Sequence, residues 1–193
     1  MQSAEIPTLP VLVPATVVAL GLSLWWLHRR GRLTVLRAAV AVAVCVYAAG
    51  VLGHVLLPFP IDASDPRPWR VWIHLTPFVD VAEDPIGMVL NIALFVPLGF
   101  LLPLVVRVGS ARRAVLYGVL ASLGIEMVQL VGDLTVSPGR VADVDDLIGN
   151  AIGTLIGYAV FSLAVAVPAV AKLAARAAWM PAASEPVSAT MER

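Results

Sequence analysis

Charged side chains are scarce in this chain. They make up 13% of its 193 residues, against about 25% in an ordinary soluble domain. Hydrophobic residues reach 60%, and the mean hydropathy is +0.90. That balance excludes a soluble globular domain and reads as an integral membrane protein. The formal net charge is zero, so there is no basic surface for nucleic acid, which is not expected as a partner. Lysine is almost absent: the positive residues are arginines and Lys172, a bias that reflects a GC-rich genome more than a function. The single cysteine, Cys45, sits in the middle of an apolar run. A lone cysteine forms no internal disulfide, and this one reads as a small buried apolar residue. His28, His54 and His74 are scattered and read as structural or interfacial. No Cys/His cluster has metal-ligand spacing, and no Walker loop, G-x-S-x-G or H-E-x-x-H occurs. The signatures of P-loop nucleotide hydrolases, serine hydrolases and zinc peptidases are thereby missing.

Long apolar runs, by contrast, are abundant. A bilayer core takes roughly 20 apolar residues as a helix, and stretches at about 9–27, 38–57, 86–106, 114–131 and 147–170 qualify. The first is expected to be a retained helix rather than a signal peptide, because no Lys or Arg precedes it, whereas Arg29, Arg30 and Arg32 follow it. Loops rich in Lys and Arg stay in the cytoplasm. Arg29, Arg30, Arg32, Arg37, Arg107, Arg112, Arg113, Lys172, Arg176 and Arg193 fall on one side, against Arg67, Arg70 and Arg140 on the other. The expected architecture is therefore an all-α membrane bundle of about five transmembrane helices, N-terminus out and C-terminus in. Residues 1–7 form a short outer N-terminus, 8–172 one transmembrane domain, and 173–193 a disordered cytoplasmic tail. Pro97 and Gly99 predict a kink or break in the third span, since proline removes a backbone donor. In the long outer connection, Trp69, Trp72 and Phe78 read as headgroup-level anchors. A lid carrying Arg70 or His74 toward a headgroup is the functional alternative.

Asparagine occurs only at Asn91 and Asn150. Counted from the span ends at 1.5 Å per residue, Asn91 and Glu126 lie roughly 8 Å deep and Asn150 roughly 5 Å, all at the outer level. Ser122, Glu126 and Gln129 share one helical stripe, and Asp146, Asn150, Gly153 and Gly157 another. Gly153-x-x-x-Gly157 permits close helix packing, and Gly118, Ser122 and Gly124 make the fourth span the expected neighbour. Asp145 or Asp146 suits a cap on the fifth helix. Arg140 suits a pair with Asp143 or Asp146, and such a network can be purely structural. Two sharper readings stand beside it. Glu126, Asp143, Asp145 and Asp146 can hold a divalent cation with a phosphate-bearing lipid. Alternatively, Arg140 grips the phosphate by its planar fork while Glu126 serves as general base.

Several of these segments resemble the VanZ-like membrane proteins. Asn91–Gly99 reads NIALFVPLG, matching that family's N-x-x-x-F-x-P-x-G, and Ile125–Leu130 reads IEMVQL. Gly139–Gly157 reads GRVADVDDLIGNAIGTLIG, with the family's G-R-x-x-D-x-x-D-x-x-x-N-x-x-G spacing, and His74–Phe78 reads HLTPF. The likeness is strongest over 75–158; the first two helices share only apolarity. The resemblance implies a protein of the bacterial inner (cytoplasmic) membrane, from a family whose founding member is linked to low-level teicoplanin resistance. The expected function is to bind or alter a cell-envelope lipid or lipid-linked wall precursor, and so to change glycopeptide susceptibility. A membrane enzyme acting on a lipid or polyprenyl phosphate headgroup is the second reading, and a small transporter or assembly partner the third. Glu126, Asp143 and Asp146 are the candidate catalytic residues, and Asn91, Gln129, Arg140, Asn150, Arg70 and His74 the candidate substrate ligands. Membrane lipids are the expected partners.

Overall fold

The structure, a computed structural model, describes residues 4–6, 8–56, 59–61, 73–74, 76–77, 85–135 and 142–180. In hydrocarbon every backbone polar group needs an internal partner, so apolar runs of this length fold as helices. The long ones are α1 (Thr8–Arg29), α2 (Val35–Leu56), α3 (Pro85–Val105), α4 (Ala111–Thr135) and α5 (Val144–Ala164). All are long and apolar enough to cross a membrane. A short helix follows, α6 (Pro168–Ala177). The protein is thus an all-α, multi-pass membrane protein. Large side chains such as Leu22, Val46, Leu120 and Leu163 stand exposed along the bundle, which suits a surface solvated by lipid.

Tight turns join the helices at one end of the bundle. Gly31, at φ 62°, closes α1: its N–H donates to His28 O and that of Arg32 to Leu27 O. This is the paired bonding of a Schellman cap, whose left-handed residue favours glycine. The turns at 30–34, 106–110 and 165–167 lie at this end, with most of the arginines. At the opposite end, short strand pairings tie the connections together. β1 (Ala4–Ile6) runs antiparallel to β2 (Phe59–Ile61). β3 (Ile73–His74) pairs in parallel with β4 (Ala142–Asp143), placing His74 opposite Asp143. These are called below the arginine end and the strand end.

The tightest contact runs between α3 and α5, which lie parallel. Gly149, Gly153 and Gly157 of α5 meet Met88, Ile92 and Val96 of α3 in the same order. A Cβ at Gly153 or Gly157 would collide with the carbonyl of Ile92 or Val96, and one at Gly149 would sit 3.0 Å from Met88 Sδ. Gly99 of α3 reciprocates against the Thr154 carbonyl. The expected glycine contact with α4 is therefore corrected: the glycine stripe faces α3, and the adjacent Asn150–Thr154 face meets α4. Gly118 does lie against Thr154, whereas Gly124 has nothing within 4 Å.

Three further expectations are revised. The third span does not break at Pro97, and α3 continues through both Pro97 and Pro103. A neighbour supplies a donor in that turn, since the Tyr47 hydroxyl of α2 donates to Leu94 O at 2.9 Å. The fifth span ends at Ala164 rather than near Val170, with Pro168 opening α6, because proline is well suited to a first helical turn. Residues 173–180, expected in a disordered tail, belong to α6 and an ordered segment after it. Arg37 Nε donates to Ala178 O at 2.8 Å, Arg32 Nη1 to Trp179 O at 3.1 Å, and Trp179 N–H to Leu104 O at 2.7 Å. Ala177 is buried with Val40 and Leu104. Residues 181–193 lie outside the described residues.

Candidate functional site

The polar residues at the strand end meet because α5 is wedged between α3 and α4. Asp146, in the first turn of α5, reaches α3, where Asn91 Nδ2 donates to its Oδ1. One turn on, Asn150 reaches α4, and its Nδ2 donates to Ser122 Oγ at 2.8 Å. Another turn on, the Thr154 hydroxyl donates back to Asn150 O at 2.8 Å, and Gly118 makes room for its side chain. Side chains therefore cross-link three helices, among them Asn91 and Asn150, which the sequence reading set at the outer level.

Burial here is nearly complete. Ser122 and Thr154 are 0% exposed, Asn150 and Asp145 5%, and Glu126 8%. Glu126 lies one turn beyond Ser122 on α4, and half-buried Gln129 follows on the same stripe. Asn150 Oδ1 has no donor among the described residues. A buried acceptor of this kind costs about 1–3 kcal/mol if left dry. Asp145 and Asp146 both lie inside the first turn of α5, where carboxylates match the positive end of the helix dipole. The residue preceding the helix, in the cap position, is Asp143.

The structure thus brings Asn91, Asp146, Asn150 and Glu126 to one end, and by backbone pairing it sets His74 beside Asp143. Arg70 and Arg140 lie outside the described residues, as do the anchors Trp69, Trp72 and Phe78. Among the described residues no three His, Cys, Asp or Glu side chains form a group that could hold a metal ion. The Asn150 amide donor goes to Ser122. Ser122 and Thr154 were not candidate site residues, although a signal existed. Each stands four positions from a candidate, Glu126 and Asn150 respectively, and so shares its helical face.

An apolar groove of about 470 Å³ between α2 and α3 opens beside this level, lined by Tyr47, Val51, His54, Leu90, Leu94 and Pro97. Leu90 immediately precedes Asn91.

A family model described as VanZ/LLP1 matches residues 42–165. The span starts within α2, includes α3, α4 and α5, and leaves out α1 and α6. No curated protein and no solved structure gives a significant match.

Proposed function

The chain belongs to the VanZ/LLP1 family, and from that premise we propose that its strand end binds a phosphate-bearing lipid of the cell envelope. The observation that carries this reading is the convergence of buried polar side chains from three apolar helices. Ionisable groups within membrane spans are costly and are kept where they face partners, cavities or ligands. The apolar groove between α2 and α3 suits a lipid chain at the same level. In this reading Glu126, Asn91, Asn150 and Gln129 line the site from the helices. Arg140 holds the phosphate by its planar fork, and Arg70 and His74 approach from the long connection.

The arginine distribution supports placing the strand end outward, in a bacterial cytoplasmic membrane. There a lipid-linked wall precursor would be the ligand, and altered access of glycopeptides such as teicoplanin the consequence. A buried carboxylate at Glu126 favours a second reading, in which the bound headgroup is also chemically altered with Glu126 as general base.

Glu126→Gln separates these readings from a purely structural network. The variant is expected to express and melt like wild type and to lose binding of a polyprenyl phosphate added in detergent. A folded Glu126→Gln protein with undiminished binding would reduce Glu126 to a link between helices. Arg140→Lys is expected to bind poorly as well, because lysine keeps the charge but lacks the fork.

A further inference from the structure

We propose a second lipid site at the arginine end: the groove between the α3–α4 turn and α6 binds the phosphate of an anionic phospholipid, with Arg107 and Arg113 as its ligands. The groove has a volume of about 460 Å³, with Arg107 and Arg113 on one side and Leu104, Phe161, Ala174 and Met180 among its apolar walls. It sits where α3 ends and α4 begins, which is headgroup level for a spanning bundle.

The arginines at this end divide by what they touch. Arg32 and Arg37 donate to main-chain carbonyls of the C-terminal segment. Arg29 and Arg30 lie over the rings of Trp25 and Trp26, at 5.4 and 5.0 Å from the centroids. The guanidinium groups of Arg107 and Arg113 have no acceptor among the described residues. In the sequence no Asp or Glu occurs between Pro85 and Ile125 or between Leu147 and Ser184. Among the described residues these two arginines thus have no carboxylate to serve, and we assign them an external phosphate.

The setting suits a phosphate with acyl chains. A guanidinium fork matches phosphate oxygens, and basic pockets between helices at the membrane surface take anionic headgroups. The Arg113 guanidinium lies against the turn, 3.5 Å from where a Cβ on Gly109 would stand. Ser110 caps α4 by accepting from Arg113 N–H at 3.4 Å, so the positive end of that helix adds to the field. On α6, Lys172 and Arg176 are exposed one turn apart, next to exposed Val170 and Leu173. That is the pattern of a helix lying in the interface. The apolar wall of Leu104 and Phe161 continues toward the hydrocarbon, which favours a lipid over a soluble anion or an acidic peptide.

Native mass spectrometry of the full chain in detergent tests this, with phosphatidylglycerol, phosphatidylcholine or inorganic phosphate added separately. Wild type is expected to retain phosphatidylglycerol roughly tenfold more strongly than phosphatidylcholine. Arg107→Gln with Arg113→Gln should abolish that preference, whereas Arg29→Gln with Arg30→Gln should keep it. Should the first pair fail to fold, Arg107→Lys with Arg113→Lys retains charge without the fork, and its preference should fall severalfold. Equal retention of the two lipids by wild type, or an undiminished preference in the substituted pairs, would overturn the proposal. So would inorganic phosphate displacing phosphatidylglycerol at equal concentration, which would mark a site for free anions.

Discussion

Among the described residues the Asn150 side-chain amide has one hydrogen-bond partner, Ser122, 28 positions earlier in the chain. Removing that partner leaves a buried donor unpaired. Ser122→Ala is therefore expected to lower stability by about 1 kcal/mol, a typical size for one interhelical hydrogen bond in a membrane. Ser162, whose hydroxyl donates to Tyr158 O on an exposed face, is the control, and Ser162→Ala should leave the melting temperature almost unchanged. Tyr47→Phe should cost about as much as Ser122→Ala, because the Leu94 carbonyl then loses its donor. Thermal unfolding of all three variants in one detergent checks the ranking. At this scale much was legible beforehand: Asn91, Glu126 and Asn150 stand out because polar residues in apolar runs need a reason. Ser122 was legible as part of the α4 face expected against α5, but its bond to Asn150 was not, and Thr154 is an ordinary residue until a neighbouring helix is placed against it.

Helices α3 and α5 touch backbone to backbone because the glycine stripe removes the side chains that would hold them apart. Gly153→Ala puts a Cβ into the Ile92 carbonyl and 3.0 Å from Phe95 Cβ. The helices must then separate, at about 1–3 kcal/mol as for other overpacked sites. Gly21→Ala in α1, with nothing within 4 Å, should be neutral or stabilising by up to ~1 kcal/mol through helix propensity. A melting temperature that fell equally in both variants would show that the α3–α5 seam has slack. The small-residue motif itself was readable, but its partner was assigned to α4. A stripe at helical spacing names a face and leaves the neighbour open. Helix α6 was missed because its ten residues are too few and too alanine-rich to signal a separate element. What orders it is remote: Arg37 Nε on Ala178 O, and Trp179 Nε1 donating to Arg37 O at 3.3 Å. Arg37→Leu is expected to speed amide exchange in 171–179 while leaving α4 and α5 protected.

Across the whole molecule, most acidic residues fall toward one end of the bundle and most basic residues toward the other. Among the described residues, Glu126, Asp133, Asp145 and Asp146 lie in the strand-end halves of their helices. Arg29, Arg30, Arg32, Arg37, Arg107, Arg112, Arg113, Lys172 and Arg176 gather at the other end. If that asymmetry orients the protein, reporter fusions after Arg32, Asp65, Arg113 and Asp133 should read in, out, in, out. A cytoplasmic signal at Asp133 would invert the bundle and place the candidate lipid site on the inner face.

Sequence alone determined the number of long apolar helices and their order. Bilayer thickness and helix rise turn a count along the chain into a distance across the membrane. It also determined which residues share a stripe, because the helical period is constant. Only the tertiary structure decided which way each stripe faces: glycines to α3, Asn150 to Ser122, Asp146 to Asn91. Rotation of one helix against another is set by close packing between surfaces far apart in sequence, and no local pattern encodes it. The strap of α6 across the arginine end was decided in the same way, by bonds such as that from Arg37 to Ala178, 141 positions apart.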